Sequence, residues 1–327
     1  MADSKLKSYA LVFVIGLAAI LLAAWVTSLV EHPTIPAPDK GRAITTAEGF
    51  TKQVDFPNVA LKAQAAVVYD STTGEILFEK NGNVQLPLAS LTKIMTAYVA
   101  SAALPKGATV EITKESLSTE GDSGFKRGEE WHLKDLLNAV LVESSNDGAA
   151  AVASVAGAFT ESTSTAQINF LKENGMGHFV ELMNERARAL GLGETYFLNP
   201  TGLDQSEAVS GGYGSARDVA LLFDKAVRSF PDVFEATRYS FVTIESLENA
   251  THKAKNTNTE IGSIPAVVAS KTGFTDLAGG NLAVMFEAGP MRPVVVVVLG
   301  STKEGRFEDT AALAEATLRY INISSGE

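Results

Sequence analysis

The chain has 327 residues, 46% hydrophobic and 20% charged, an ordinary globular composition with room for one large domain or two small ones. A net charge of −11, spread without long like-charge runs, argues against a nucleic-acid surface, because a polyanion needs a basic face. With no cysteine, disulfides, thiolate zinc sites and cysteine nucleophiles are excluded as well.

From Tyr9 to Val30 the chain is almost wholly apolar and uncharged, and Lys5 and Lys7 precede it. A bilayer core takes about 20 such residues, a signal-peptide core about 7–15. The length predicts a retained transmembrane helix, so that 1–31 is a cytoplasmic stub plus anchor in the cytoplasmic membrane and everything after Val30 faces outward. A cleaved signal ending near Val26-Thr27-Ser28, giving a secreted protein, is the alternative. Residues 32–58 read as a linker stiffened by Pro33, Pro36 and Pro38, and residues 59–327 as the folded domain.

Order is expected from near Leu61. Ala65 to Tyr69 and Ile76 to Phe78 read as a strand pair joined by a turn. A helix follows from about Ser90 to Ala103, and Leu91, Ile94, Met95, Tyr98 and Val99 cover more than one of its faces, which predicts burial. Leu133, Leu136, Leu137, Val140 and Leu141 mark an amphipathic helix, and 179–190 and 216–228 read as two more. Segments near 239–244, 264–272, 280–287 and 293–299 look like strands, with Val294 to Leu299 buried on both faces, and a helix over 307–321 closes the chain. The order implies an α+β (mixed α/β) fold: one antiparallel sheet covered by helices, with a helical subdomain inserted.

Three short patterns stand in sequence: Ser90-Leu91-Thr92-Lys93, Ser144-Ser145-Asn146 and Lys271-Thr272-Gly273. The first two spacings each arise by chance about once in a chain of this length, and Ser4 to Lys7 repeats the first of them. Their order and context carry the weight. Ser90 at a helix start puts Lys93 one turn on, on the same face. A serine hydroxyl needs a base, and a lysine serves as one when desolvation or a nearby cation lowers its pKa. The apolar helix supplies the first condition, and Lys271 could supply the second.

The chain resembles the serine D-alanyl-D-alanine carboxypeptidases, the low-molecular-mass penicillin-binding proteins. The likeness covers roughly residues 60–322. It is carried by Pro87 to Ala97, Gly128-Glu129, Asp135 to Leu137, Ser144 to Asp147, Asn199 to Asp204, Ser215 to Asp218, Asn256 to Asn258 and Lys271 to Thr275. It implies the β-lactamase/D,D-peptidase fold, with 59–327 as the catalytic domain. It further implies Ser90 as nucleophile, Lys93 as its base and Ser144 as proton relay. Asn146, Lys271, Thr272 and Gly273 would bind substrate, and the backbone N–H groups of Ser90 and Phe274 would form the oxyanion hole. The implied partners are a peptidoglycan stem peptide and β-lactam inhibitors, with no cofactor and no metal.

Some positions depart from the family pattern. Ser145 stands where glycine is common, and Val268-Ala269-Ser270 replaces the usual approach to Lys271. The stretch from Phe159 to Gly177 is long for the family. Many relatives carry a β-rich second domain and a C-terminal amphipathic anchor; neither is expected here, and the N-terminal helix would replace the anchor. Three other readings stay open: a D,D-endopeptidase using the same site, a class A-like β-lactamase, and a non-catalytic wall-binding protein. The β-lactamase needs a deacylating glutamate, and Glu194 and Asn199 are spaced five apart rather than four. Gly121-Asp122-Ser123-Gly124 imitates a chymotrypsin-like serine segment without a histidine base in that setting, so Ser123 reads as a loop residue near the cleft. His132 and His252 read as surface residues, and the histidines lack metal-ligand spacing.

Overall fold

The computed structural model describes residues 55–159 and 165–325. The expected membrane helix and all but the end of the expected linker lie outside the described residues. Among the described residues no helix is long and apolar enough to cross a membrane. The fold begins before Leu61: Phe56 packs its ring 5.4 Å from that of Phe78 and 5.5 Å from that of Tyr320.

Strands β1 (Ala65–Asp70) and β2 (Glu75–Lys80) form a hairpin. Buried Asp70 starts its turn by accepting from the backbone N–H groups of Thr72 and Thr73, at 2.8 and 3.2 Å. Strands β3 (Val267–Thr275), β4 (Gly279–Glu287) and β5 (Pro293–Ser301) complete an antiparallel sheet of order β3-β4-β5-β1-β2. Side chains alternate faces along a strand. Val294, Val296 and Val298 therefore join one apolar core with Leu313 and Ala314 of the closing helix, while Val295, Val297 and Leu299 join a second core with the inserted helices. Packing on both faces is why this run is apolar without alternation.

The insertion between β2 and β3 holds helices α1 (Thr92–Ala103), α2 (Leu133–Val142), α3 (Asn146–Ala158), α4 (Thr165–Ala189) and α5 (Ala216–Ser229); α6 (Gly305–Ser325) closes the chain. The sequence gives α3 no period, because its positions are nearly all small and apolar. Gly157 explains that choice: a Cβ there would lie 1.8 Å from the carbonyl oxygen of Gly175, so α3 and α4 touch backbone to backbone. The strand expected near 239–244 is Phe241–Glu245, but it leaves the main sheet and pairs with Thr251–Lys255 in a separate hairpin. Each of those strands buries a single side chain, Ile244 or Ala254, too little for a sheet covered on both faces.

Three segments meet beside β3, an edge of the main sheet: the start of α1, the α2–α3 junction and β3 itself. Asn281 of β4 ties the first to the sheet, donating through Nδ2 to Pro87 O at 2.9 Å and accepting from Gly300 N at 2.8 Å.

Candidate active site

Ala89–Leu91 form one 3-10 turn that runs straight into α1, so Ser90 and Lys93 lie i, i+3 on one helical surface. Ala89 has φ +48, a left-handed conformation that costs a non-glycine residue energy and recurs at functional sites. Lys93 is fully buried. Its Nζ lies 2.9 Å from Ser90 Oγ, 2.7 Å from Asn146 Oδ1 and 2.7 Å from Thr201 O. Burial, and secondarily the charge of Lys271, hold its pKa well below the ordinary lysine value. Asn146 Oδ1 and Thr201 O can only accept. A neutral amine has two N–H bonds and one lone pair, so these acceptors take both N–H bonds and the lone pair faces the Ser90 hydroxyl.

The Asn199 to Leu203 segment makes this possible. Asn199 Oδ1 accepts from Thr201 N, Thr201 Oγ1 and Gly202 N at 3.2, 3.0 and 2.7 Å, while its Nδ2 donates to Leu203 O at 2.9 Å. The resulting turn aims Thr201 O at Lys93 and offers Pro200 O to Thr96 Oγ1 at 2.7 Å.

At the α2–α3 junction Ser144 has φ +68, again left-handed without glycine. Ser145 caps α3 by accepting from Gly148 N at 2.9 Å. Three consecutive residues then hold one loop: Ser145 Oγ accepts from Ser123 Oγ at 2.8 Å, Asn146 Nδ2 donates to Glu120 O at 2.8 Å, and Asp147 Oδ2 accepts from Ser123 N at 3.1 Å. Burial pushes the Asp147 carboxyl up. Ser123 is thus a loop residue beside the second motif, as its sequence context predicts.

On the sheet side, buried Lys271 donates to Ser144 Oγ at 2.9 Å and Thr272 O at 3.0 Å. Burial and the nearby Arg306 guanidinium lower its pKa to about 7. Thr272 Oγ1 meets Thr257 Oγ1 at 2.6 Å. A Cβ on Gly273 would stand 2.9 Å from Leu88 O and 3.2 Å from Ser90 N, so a glycine is what lets β3 pass this close to the serine turn. Phe274, next along that edge, is exposed.

The structure therefore brings Ser90, Lys93, Ser144, Asn146, Lys271, Thr272 and Gly273 to one site, with Phe274 at its rim. Sequence reasoning misses Arg306, which is buried at the start of α6 and donates to Gly273 O at 2.7 Å. A single arginine outside any motif is its whole signal. His252 corrects an expectation: it is half-buried, not a surface residue, with Nε2 2.8 Å from Glu143 Oε1 and its ring 4.8 Å from Phe125. The Glu143 contact pushes its pKa up. His132 is exposed, as expected.

A buried lysine one turn from a partly exposed serine at a helix start, beside an edge strand of an antiparallel sheet, marks the class: a serine–lysine site on an α+β fold. The chain belongs to the D-alanyl-D-alanine carboxypeptidase family, peptidase family S11, whose profile matches residues 50–303. It is 32% identical over 273 residues to D-alanyl-D-alanine carboxypeptidase DacF of Bacillus subtilis, covering 80% of this chain and 64% of that protein. It is 30% identical over 259 residues to the D-alanyl-D-alanine endopeptidase of Pseudomonas aeruginosa, covering 77% of this chain and 76% of that one. Ampicillin-bound penicillin-binding protein D2 from Listeria monocytogenes superposes with a TM-score of 0.64 at 30% identity, over 80% of this chain and 99% of that one.

Proposed function

We propose that this chain is a serine D-alanyl-D-alanine carboxypeptidase that cleaves peptidoglycan stem peptides through an acyl-enzyme on Ser90, and that β-lactams acylate the same serine. The observation that carries this reading is the Lys93 amine, desolvated, held by two pure acceptors and set 2.9 Å from Ser90 Oγ.

Lys93 takes the hydroxyl proton as the serine oxygen attacks the carbonyl of the terminal D-Ala–D-Ala bond. The backbone N–H groups of Ser90 and Phe274 stabilise the oxyanion, at about 3–4 kcal/mol per donor. The leaving amine receives a proton through Ser144, whose hydroxyl already accepts from Lys271. Lys271 and Thr272 receive the terminal carboxylate, and Gly273 keeps the strand close to the serine. Asn146 spends one N–H on Glu120 O and keeps the other for a substrate carbonyl. Water then cleaves the ester. In a β-lactam the amine stays tethered after the ring opens, so it lingers where water must enter. The Listeria structure with ampicillin bound supports this likeness. An anchor at Tyr9 to Val30 would hold the enzyme at the outer face of the cytoplasmic membrane; membrane fractionation of the full chain tests that, and recovery in the soluble fraction alone would refute it.

Intact-protein mass spectrometry after incubation with penicillin, followed by peptide mapping, is the test. A stable adduct on Ser90, absent from Ser90→Ala, is expected. Rapid penicillin turnover without an adduct would favour a β-lactamase. Neither adduct nor turnover from folded protein would favour a non-catalytic wall-binding role.

A further inference from the structure

We infer that His252 is a positioning residue for Ser144: its bond to Glu143 holds the turn that aims the Ser144 hydroxyl, so the hairpin at 241–255 supports protonation of the leaving amine; this rests on the relay role of Ser144 proposed above.

A proton relay works only when its hydroxyl points along one line. The Ser144 hydroxyl accepts from Lys271 Nζ at 2.9 Å, and one contact does not fix a side chain. The rest of its aim comes from the backbone. That backbone is strained, with φ +68 on a residue that carries a Cβ, a state that persists only where the surroundings over-determine it.

Those surroundings have names. On the helical side, Ser145 N donates to Ala139 O at 3.3 Å and closes the end of α2. On the other side, one short segment holds both residues that precede Ser144. Val142 O accepts from Thr257 N at 3.0 Å. Glu143 Oε1 lies 2.8 Å from His252 Nε2, and both side chains are largely covered. A carboxylate can only accept, so Nε2 carries the proton of this bond, and a charged acceptor makes it one of the stronger kind. The imidazole itself has little room to move. Its ring lies 4.8 Å from that of Phe125 and 6.4 Å, edge-on, from that of Trp131. Across the hairpin His252 pairs with Ile244, which is buried. His252 is therefore a fixed post, and Glu143 is what it fixes, one residue before Ser144.

The consequence for the reaction depends on the leaving group. Breaking a C–N bond expels an amine, which must receive a proton as it departs. Breaking a C–S bond expels a thiolate, which leaves without one. A loosened turn at Ser144 therefore slows amide substrates and spares thioesters. General damage to the fold, or to Ser90 and Lys93, slows both.

The test compares kcat/KM of the full chain on an acyl-D-Ala-D-Ala peptide with that on the thioester in which sulfur replaces the scissile nitrogen. His252→Phe keeps a ring against Phe125 and Trp131 but removes the donor. It should lower the amide value about tenfold and leave the thioester value within about twofold. Glu143→Leu should do the same, and the double variant should be no worse than either single one, because the two residues act as a unit. His252→Gln, which can still donate, should recover most of the loss. Ser144→Ala sets the scale, with the same selectivity and a larger effect. Thermal melting checks the fold. Should His252→Phe fail to fold, Glu143→Gln takes its place, with a loss of about threefold confined to the amide, since it keeps a hydrogen bond and gives up the charge. Equal losses on the two substrates, or losses that add in the double variant, would overturn the positioning role and leave the Ser90 chemistry standing. Equal losses in Ser144→Ala would remove the relay and the positioning role together. A wild type that cleaves neither substrate and takes no penicillin would overturn the carboxypeptidase reading itself.

Discussion

Two lysines are buried within one site, and their surroundings fit them for different work. Lys93 sits on a helix, and its amine meets two pure acceptors and one hydroxyl. Lys271 sits on an edge strand, where its amine meets one hydroxyl and its neighbour's carbonyl. Burial is the main cause of both lowered pKa values, but the second cation differs: Lys271 acts on Lys93, and Arg306 acts on Lys271. The three cations form a series, each making the next easier to deprotonate. The residue at the end of the series, Lys93, suits a base. The one in the middle, near 7, suits a charge that can still return a proton. Side-chain type alone does not assign a role; the count of acceptors and the next charge along do.

The sharpest way to break this comparison is Lys93→Arg. A guanidinium keeps the bulk and the charge but cannot give up its proton, so penicillin acylation should fall about 10³–10⁴-fold by stopped-flow, with the fold intact by thermal melting. Near-normal acylation would remove Lys93 from the role of base. Lys271→Met should cost less, about a hundredfold in acylation, and should shift the rising limb of the pH profile upward, because Lys93 loses the charge that depresses it.

The wild-type kcat/KM profile should fall again as Lys271 deprotonates near pH 7, and Lys271→Arg should carry that falling limb up by two units or more. A falling limb unmoved in this variant would show that another group titrates there. Stability should follow the same pKa. The folded value of about 7 lies below the unfolded value of about 10.4, so wild-type stability rises with pH between them. Lys271→Met should therefore be stabilised most below pH 7, with the gain shrinking toward pH 10 in denaturant titrations. The smallest effect belongs to Ser145→Gly. Losing the hold on Ser123 should cost about 1 kcal/mol in chemical denaturation and change acylation only a few-fold.

The site was legible in sequence where a side chain and a local spacing carry it. Ser90 and Lys93 share a helical turn, and the strand motif at Lys271 announces itself by composition. The partners that aim Lys93 are harder to see. Thr201 and Glu120 contribute backbone carbonyls, which any residue type could supply, so the sequence carries only the turn-forming Asn199 and the glycines that bring them into place. Arg306 lies more than two hundred residues from Lys93 in the chain, and only the packing of α6 under the sheet makes it a neighbour of Lys271. His252 reads as a surface residue because its alternating strand is polar; its burial comes from Phe125 and Glu143, neither of them local. The antiparallel sheet was foreseen from the order of the strand-like segments, of which Val294 to Leu299 alone read as buried on both faces. The separate hairpin at Phe241–Glu245 was not distinguished, since pattern alone does not say which strands pair.

The central sheet closes by pairing β1 with β5, so that Ala65 lies opposite Leu299 across nearly the whole described chain. Pairings of such long range form slowly, because the loop they close is costly in entropy before its contacts accumulate. Lys271 and Arg306, both from the C-terminal part of the chain, are likewise brought to the Ser90 site by long-range packing. A chain that has not yet folded therefore carries a serine without chemistry, and reactivity is expected in a late step, when those distant segments meet Ser90. Penicillin labelling during refolding would follow that step directly, turning the inhibitor into a clock for the last event of folding.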